Sequence, residues 1–163
     1  MRKRLWLVYH TASFAPLVND VPEPRDCSAE DINAWHKANK WGSRKFMRPP
    51  IGYNYVIRWN GLIEPGRMLA EPGAHLRGLN SIAFSICFSG HGDYMPLTAE
   101  QVNSGVMLGK RLGDEYHIPV VRMIGHRESH KAGIPNRLNK SCPGKLVDMD
   151  RLRNLIRNGS GRL

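Results

Sequence analysis

The chain has 163 residues, an apolar share of 41% and a formal net charge of +10, from 24 Lys and Arg against 14 Asp and Glu. That size buries a core without covalent staples, and that composition excludes a disordered or collagen-like chain. Three cysteines with no Cys-x-x-Cys spacing exclude a disulfide framework, and no apolar run is long enough for a membrane span or a secretory signal.

The expectation is therefore one domain over residues 1–163, made in the cytoplasm and monomeric. The positive balance favours polyanionic partners, such as acidic envelope polymers. The basic residues are scattered and lack the interleaved aromatic stripe of a nucleic-acid binder, so nucleic acid is not the expected partner.

In chain order, Leu5 to His10 reads as a strand that delivers His10 at its carboxyl end. Thr11 to Cys27, with its prolines, reads as a surface loop. Ser28 with Asp31 forms a capping-box start, and the helix that follows puts Ile32, Trp35 and His36 on one face before ending near Trp41 and Gly42. Ser43 to Pro50 is a basic, turn-rich loop. Tyr53 to Trp59 alternates, meets Asn60-Gly61 and continues in Leu62-Ile63, which is the pattern of a hairpin. Glu64 to Asn80 is loop. Ser81 to Phe88 is a continuous apolar run, expected as a central strand, with a buried Cys87 thiol. Thr98 with Gln101 caps the longest helix. Its glycines 105, 109 and 113 weaken helix propensity and are expected to let a neighbour pack close. Val120 to Ile124 reads as a short buried strand. Asp148 to Arg157 is a final helix with Met149, Leu152, Leu155 and Ile156 inward and Arg151, Arg153 and Arg157 outward. Strands alternate with helices, so the class is α/β with a central mixed sheet flanked by helices.

Chemistry concentrates between Val120 and Gly144. Of the seven histidines, His36 and His117 sit on helices, and His91 and His130 lie in loops with no convergent partner and are expected in solvent. His10 and His126 each end an apolar strand, where ligands of α/β sheets bind. Together with Cys142 they form a three-donor set, the arrangement of a catalytic zinc with an open fourth position. Three other readings stay open on the residues alone. One is a Cys142 nucleophile with His126 as its base. Another is a His-His-Cys copper site. The third is a turn with a buried thiol.

The segments LVYHTAS, IGYNYVIRWNG, GAHLRGLNSIAFSICFSG, GHRES and KSCPG, in this order and spanning nearly the whole chain, resemble the zinc-dependent N-acetylmuramoyl-L-alanine amidases. That family includes phage endolysins, cell-wall recycling amidases and peptidoglycan recognition proteins. The resemblance implies one zinc ion held by His10, His126 and Cys142. It implies Tyr53 beside the attacking water and Lys140 stabilising the developing oxyanion. His75 and Asn80 would contact the substrate, and Glu128 would support a ligand rather than act as the base. The implied substrate is peptidoglycan, cut at the amide between N-acetylmuramic acid and L-alanine. The implied setting is a phage or prophage endolysin that reaches the wall once the membrane is opened. The alternative within the same fold is a non-catalytic module that binds peptidoglycan or regulates a polymerase. The chain departs from the compact members in the longer loop between His126 and Cys142.

Overall fold

A computed structural model describes residues 3–12, 17–18, 21–39, 51–136 and 139–159. The strands are β1 (Trp6–Ala12), β2 (Leu17–Val18), β3 (Val21–Pro22), β4 (Tyr55–Ile57), β5 (Ile63–Pro65), β6 (Ala83–Ser89) and β7 (Met123–Gly125). The helices are α1 (Ala29–Ala38), α2 (Ala99–Tyr116) and α3 (Met149–Arg157). A five-stranded mixed sheet has the order β5-β4-β6-β1-β7. Its β4, β6, β1 and β7 run parallel, and β5 closes one edge antiparallel.

The apolar run of β6 is buried at every position, as a parallel strand covered on both faces requires. Leu7 and Tyr9 of β1, with Phe84, Ile86 and Phe88 of β6, face α2 and α3. The other face carries Val8 against Leu76, Leu79 and Ile124, and Cys87 with Val56 against Ile32 of α1. The two-residue period of β1 therefore turns His10 to the same side as Val8, away from α2 and α3. Gly109 meets the expectation of close packing: a Cβ there would collide with the Tyr9 hydroxyl. Both predicted capping boxes are present, Ser28 with Asp31 and Thr98 with Gln101.

The structure departs from the sequence reading at several points. Thr11 to Cys27 is not all loop, since β2 and β3 pair antiparallel within it, with Pro22 at an edge where no ladder donor is required. The strand expected from Tyr53 to Trp59 is confined to β4, because buried Asn54 uses its side chain to bridge Ser85 (3.0 Å) and the Arg67 carbonyl (3.0 Å). The hairpin turn is longer than a dipeptide: Arg58 N–H bonds Leu62 O at 2.9 Å, and Gly61 takes the left-handed position at φ +81°. Val120–Arg122 is a 3-10 turn entered through Pro119, and the strand starts at Met123. Arg153 is buried rather than outward. Helix α1 ends at Ala38, while the end expected near Trp41 and Gly42, and the Ser43 to Pro50 loop, lie outside the described residues.

Candidate metal centre

Register brings the first two donors together. His10 pairs with Cys87 in the sheet, and Gly125, the last residue of β7, pairs with Tyr9. The next residue, His126, therefore emerges beside His10 at the carboxyl ends of the strands, with ring centroids 5.0 Å apart. Cys142 arrives from the far side of the following loop and places its Sγ 3.6 Å from His10 Nδ1. The ligand atoms of His10, His126 and Cys142 all lie within 4.8 Å of one another. Two donors bound to one ion at about 2.0–2.3 Å in tetrahedral geometry stand roughly 3.6 Å apart, so the His10–Cys142 spacing fits a shared ion. The three line a basin of about 340 Å³ together with Tyr53, His75 and Lys140.

Cys142 is held by residues that sequence reading did not single out. The Arg127 N–H donates to Cys142 O at 2.6 Å. The Arg127 guanidinium grips Gly144 O, and Val147 O at 2.7 Å. Thr11 Oγ1 donates to Pro143 O at 2.8 Å. Asp93 accepts from Ser141 Oγ and, at 2.8 Å, from Lys145 N–H. Gly144, at φ +112°, lies backbone to backbone on Gly92, so that a Cβ at 144 would collide with the Gly92 main chain. The cysteine loop is thus fastened to the segment after β6, and through Thr11 to β1.

His126 stands at a corner fixed by Glu128 and Arg153. The Gly125 N–H donates to Glu128 Oε2 at 2.9 Å. Arg153 reaches back from α3 as a fork, donating to Glu128 Oε2 at 2.7 Å, to Oε1 at 2.9 Å and to Met123 O at 3.1 Å. Burial raises the Glu128 carboxyl. The hydrogen bonds from Arg153, then Lys131 and Gly125, outweigh it and hold the group down at about 2.

The electrostatics of the three donors suit a cation. Burial, with neighbouring His75, His126 and Lys140, holds His10 well below the usual imidazole range. Burial and then Lys140 bring His126 down to about 4. Both rings are therefore neutral near pH 7, with a lone pair to offer. Burial pushes the Cys142 thiol up to about 11, against the smaller lowering by its hydrogen bond with Thr11 and by Lys140. A thiol so placed is a poor nucleophile on its own, while a metal ion would make it a thiolate. A copper site of the usual type carries a methionine, and none lines the basin among the described residues.

The other candidate residues fall as follows. Tyr53 is buried, its ring centroid 5.0 Å from that of His10. Burial, then Cys87 and Cys142, raise its hydroxyl well above the ordinary value. Lys140 lines the basin, its backbone held by both ends of the Asn136 side chain at 3.0 and 3.1 Å. His75 is buried with its centroid 5.3 Å from His10, and burial, then His126 and Arg4, bring it down to about 3. Asn80 does not line the basin. Its Oδ1 instead accepts the His75 and Leu76 N–H groups, each at 2.9 Å, and shapes the loop that presents His75. His91, expected in solvent, is half-buried on the basin wall with its ring 4.7 Å from Tyr94. His36 is a core residue accepting from the Gly52 N–H at 2.9 Å, while His117 and His130 are exposed.

A cluster of two imidazoles and a thiol at the mouth of a mixed sheet defines an α/β protein with a site able to hold a metal ion. The sequence profile of the N-acetylmuramoyl-L-alanine amidases matches residues 17–145, and the chain belongs to that family. The endolysin of Klebsiella phage KP32 is 32% identical over 65 residues, a match spanning 40% of this chain and 38% of that protein. Among solved structures, the N-acetylmuramoyl-L-alanine amidase LysC from Clostridium intestinale URNW superposes with a TM-score of 0.74 at 22% identity, covering 95% of this chain and 86% of that one. Bumblebee PGRP-SA superposes at 0.69 with 19% identity, covering 94% and 83%. At these identities the structural likeness concerns the fold.

Proposed function

We propose that the chain is a zinc-dependent peptidoglycan amidase. It cuts the amide between the lactyl group of N-acetylmuramic acid and the L-alanine of the stem peptide, as a phage or prophage endolysin does in host lysis. The observation that carries this reading is the convergence of His10, His126 and Cys142, with all ligand atoms within 4.8 Å, on a basin that also holds Tyr53 and Lys140. Membership of the amidase family and the endolysin relatives support it.

In this reading His10, His126 and Cys142 hold one zinc ion. Bound there, zinc supplies a Lewis acid that polarises a carbonyl oxygen and brings water within reach of ionisation near pH 7. The chain's own groups do the rest. Lys140 presents its ammonium to the carbonyl oxygen as negative charge develops on it. Tyr53, its hydroxyl raised by burial further above an ordinary value already well above pH 7, donates a hydrogen bond from Oη and orients the attacking water rather than removing its proton. His75 backs the His10 ring, and Glu128 and Arg153 fix the corner from which His126 projects. No helix among the described residues is long and apolar enough to cross a membrane. The protein would act on the wall after the membrane is opened, and its charge of +10 suits contact with acidic envelope polymers.

Mass spectrometry of digested sacculi tests the reading. Free stem peptides are expected, lost on dialysis against a chelator and restored by zinc. Cys142→Ser is expected to abolish their release while circular dichroism stays unchanged. Intact muropeptides with bound protein would instead mean a binding module.

A further inference from the structure

A second chamber, of about 680 Å³, opens beside the basin. His75, His126 and Lys140 line both, so the two adjoin. The chamber is further lined by Arg77 and Gly78 and by Ile134 and Asn136, from the long loop between the metal donors. These walls are set in place. Gly78 has φ +95°, and a Cβ there would come within 2.7 Å of Ile134 Cδ1, so the two loops interlock. Asn80 pins the start of the Arg77 loop, and the Asn136 side chain pins Lys140.

The charge across these adjoining cavities is uneven. Among the described residues the chamber is lined by Arg77 and Lys140 and by no carboxylate. Arg77 is exposed, and none of its guanidinium nitrogens has a hydrogen-bond or ion-pair partner among the described residues. Trp35, His91 and the Asp93 carboxylate line the basin and are not among the described residues that line the chamber. A substrate with a neutral saccharide on one side of the reacting bond and an anionic peptide on the other has one favourable direction in such a field.

We infer that the chamber receives the peptide side of the substrate, with Arg77 reading a free carboxylate on the residue after L-alanine. This rests on the amidase reading above. An extended chain advances about 3.3–3.6 Å per residue, so the residue after L-alanine lies just beyond the basin. In stem peptides that residue is a glutamate linked through its side-chain carboxyl, and its α-carboxyl is either free or amidated. A guanidinium donates to a carboxylate as a charged fork, which a neutral amide cannot match. Arg77 therefore sets a preference for glutamate over isoglutamine peptidoglycan.

The test compares N-acetylmuramoyl-L-alanyl-D-glutamate with N-acetylmuramoyl-L-alanyl-D-isoglutamine, on the wild type and on Arg77→Gln. The wild type is expected to favour the glutamate compound about tenfold in kcat/KM. Arg77→Gln is expected to erase that ratio through KM, with the isoglutamine rate unchanged. Equal rates on both compounds in the wild type, or an equal loss on both in the variant, would overturn the inference. If the wild type cleaves neither compound, the amidase reading has failed. The same ratio measured as equilibrium binding by NMR titration then still decides the role of Arg77: a preference for glutamate that Arg77→Gln removes upholds it, and its absence overturns it.

Discussion

Replacing Arg153 by methionine keeps much of the side-chain volume and removes the fork that α3 extends to the His126 corner. Arg153 is 7% exposed and Glu128 keeps 14% of its side chain exposed. What is lost is a paired bond to Glu128 at 2.7 and 2.9 Å and the bond to Met123 O at 3.1 Å. The contact with Asp150 involves a carboxylate 86% exposed and adds little. Breaking a fully buried pair costs about 3–5 kcal/mol. The Glu128 displacement from 4.5 to about 2 corresponds by linkage to roughly 3 kcal/mol for all its partners together. Lys131 and the Gly125 N–H remain after the substitution, and water reaches this edge, so about 2 kcal/mol is the fair figure. For a chain of this size that lowers Tm by roughly 4–8 °C. The sign follows from the depressed carboxyl. Its stabilisation is complete above the ordinary value of 4.5 and is lost as pH falls toward about 2. Thermal melts of wild type and Arg153→Met should therefore differ most at pH 6–7 and converge below pH 3. A gap that is absent at pH 7, or that is as large at pH 2.5, would refute the reasoning.

Other consequences are open to simple measurement. Lys140→Met should lower kcat by about 10²–10³, the usual effect of removing one oxyanion donor, with zinc content by atomic absorption unchanged; loss of zinc instead would make Lys140 a structural residue. Gly144→Ala forces a Cβ into the Gly92 backbone at φ +112°, and should cost about 2 kcal/mol or more and weaken metal retention, since the Cys142 loop must shift; a normal melt with full zinc content would contradict this packing. With the thiol at about 11 and the His126 ring at about 4, zinc binding near pH 6, below the range where zinc-bound water ionises, should release one proton from Cys142 and none from the imidazoles. Calorimetry in two buffers of different ionisation heat counts that proton, and a count of zero or two would contradict the assigned protonation.

The sheet was legible because its central strands are written as unbroken apolar runs, and His10 and His126 stood out because each terminates one of them. Cys142 was visible as a donor but not as a neighbour, since nothing local says that its loop folds back over Gly92. The supports of the site were hidden for a common reason. Arg4, Arg67, Arg127 and Arg153 look like parts of a basic surface, yet each uses its guanidinium to hold main-chain carbonyls. A helical pattern sorts Arg153 outward with Arg151 and Arg157, and its actual partner is 25 positions away. Net charge thus overstates how much positive surface the protein offers to a partner. His91 was misplaced for the same reason: the loop after β6 looks solvent-bound until the cysteine loop packs on it.

The choice between a nucleophilic and a metal-binding cysteine turns on what the buried site does to charge. A thiol at about 11 leaves a thiolate share on the order of 10⁻⁴ at pH 7. Lys140 lowers that value and yet does not offset burial. Neither imidazole can assist as an imidazolium, because burial and Lys140 keep the rings neutral. An ion-pair nucleophile would need one ring to gain a proton as the thiol loses its own, in a site that penalises both charges. A dication needs no such proton. It would meet two neutral lone pairs and one thiolate, so the assembled site would carry a single net positive charge, and the burial that disfavours a lone thiolate would strengthen its bond to the metal. The same apolar setting that makes Cys142 inert as a nucleophile would make it effective as a ligand, as the proposed zinc site requires, and would leave Lys140 to face the substrate.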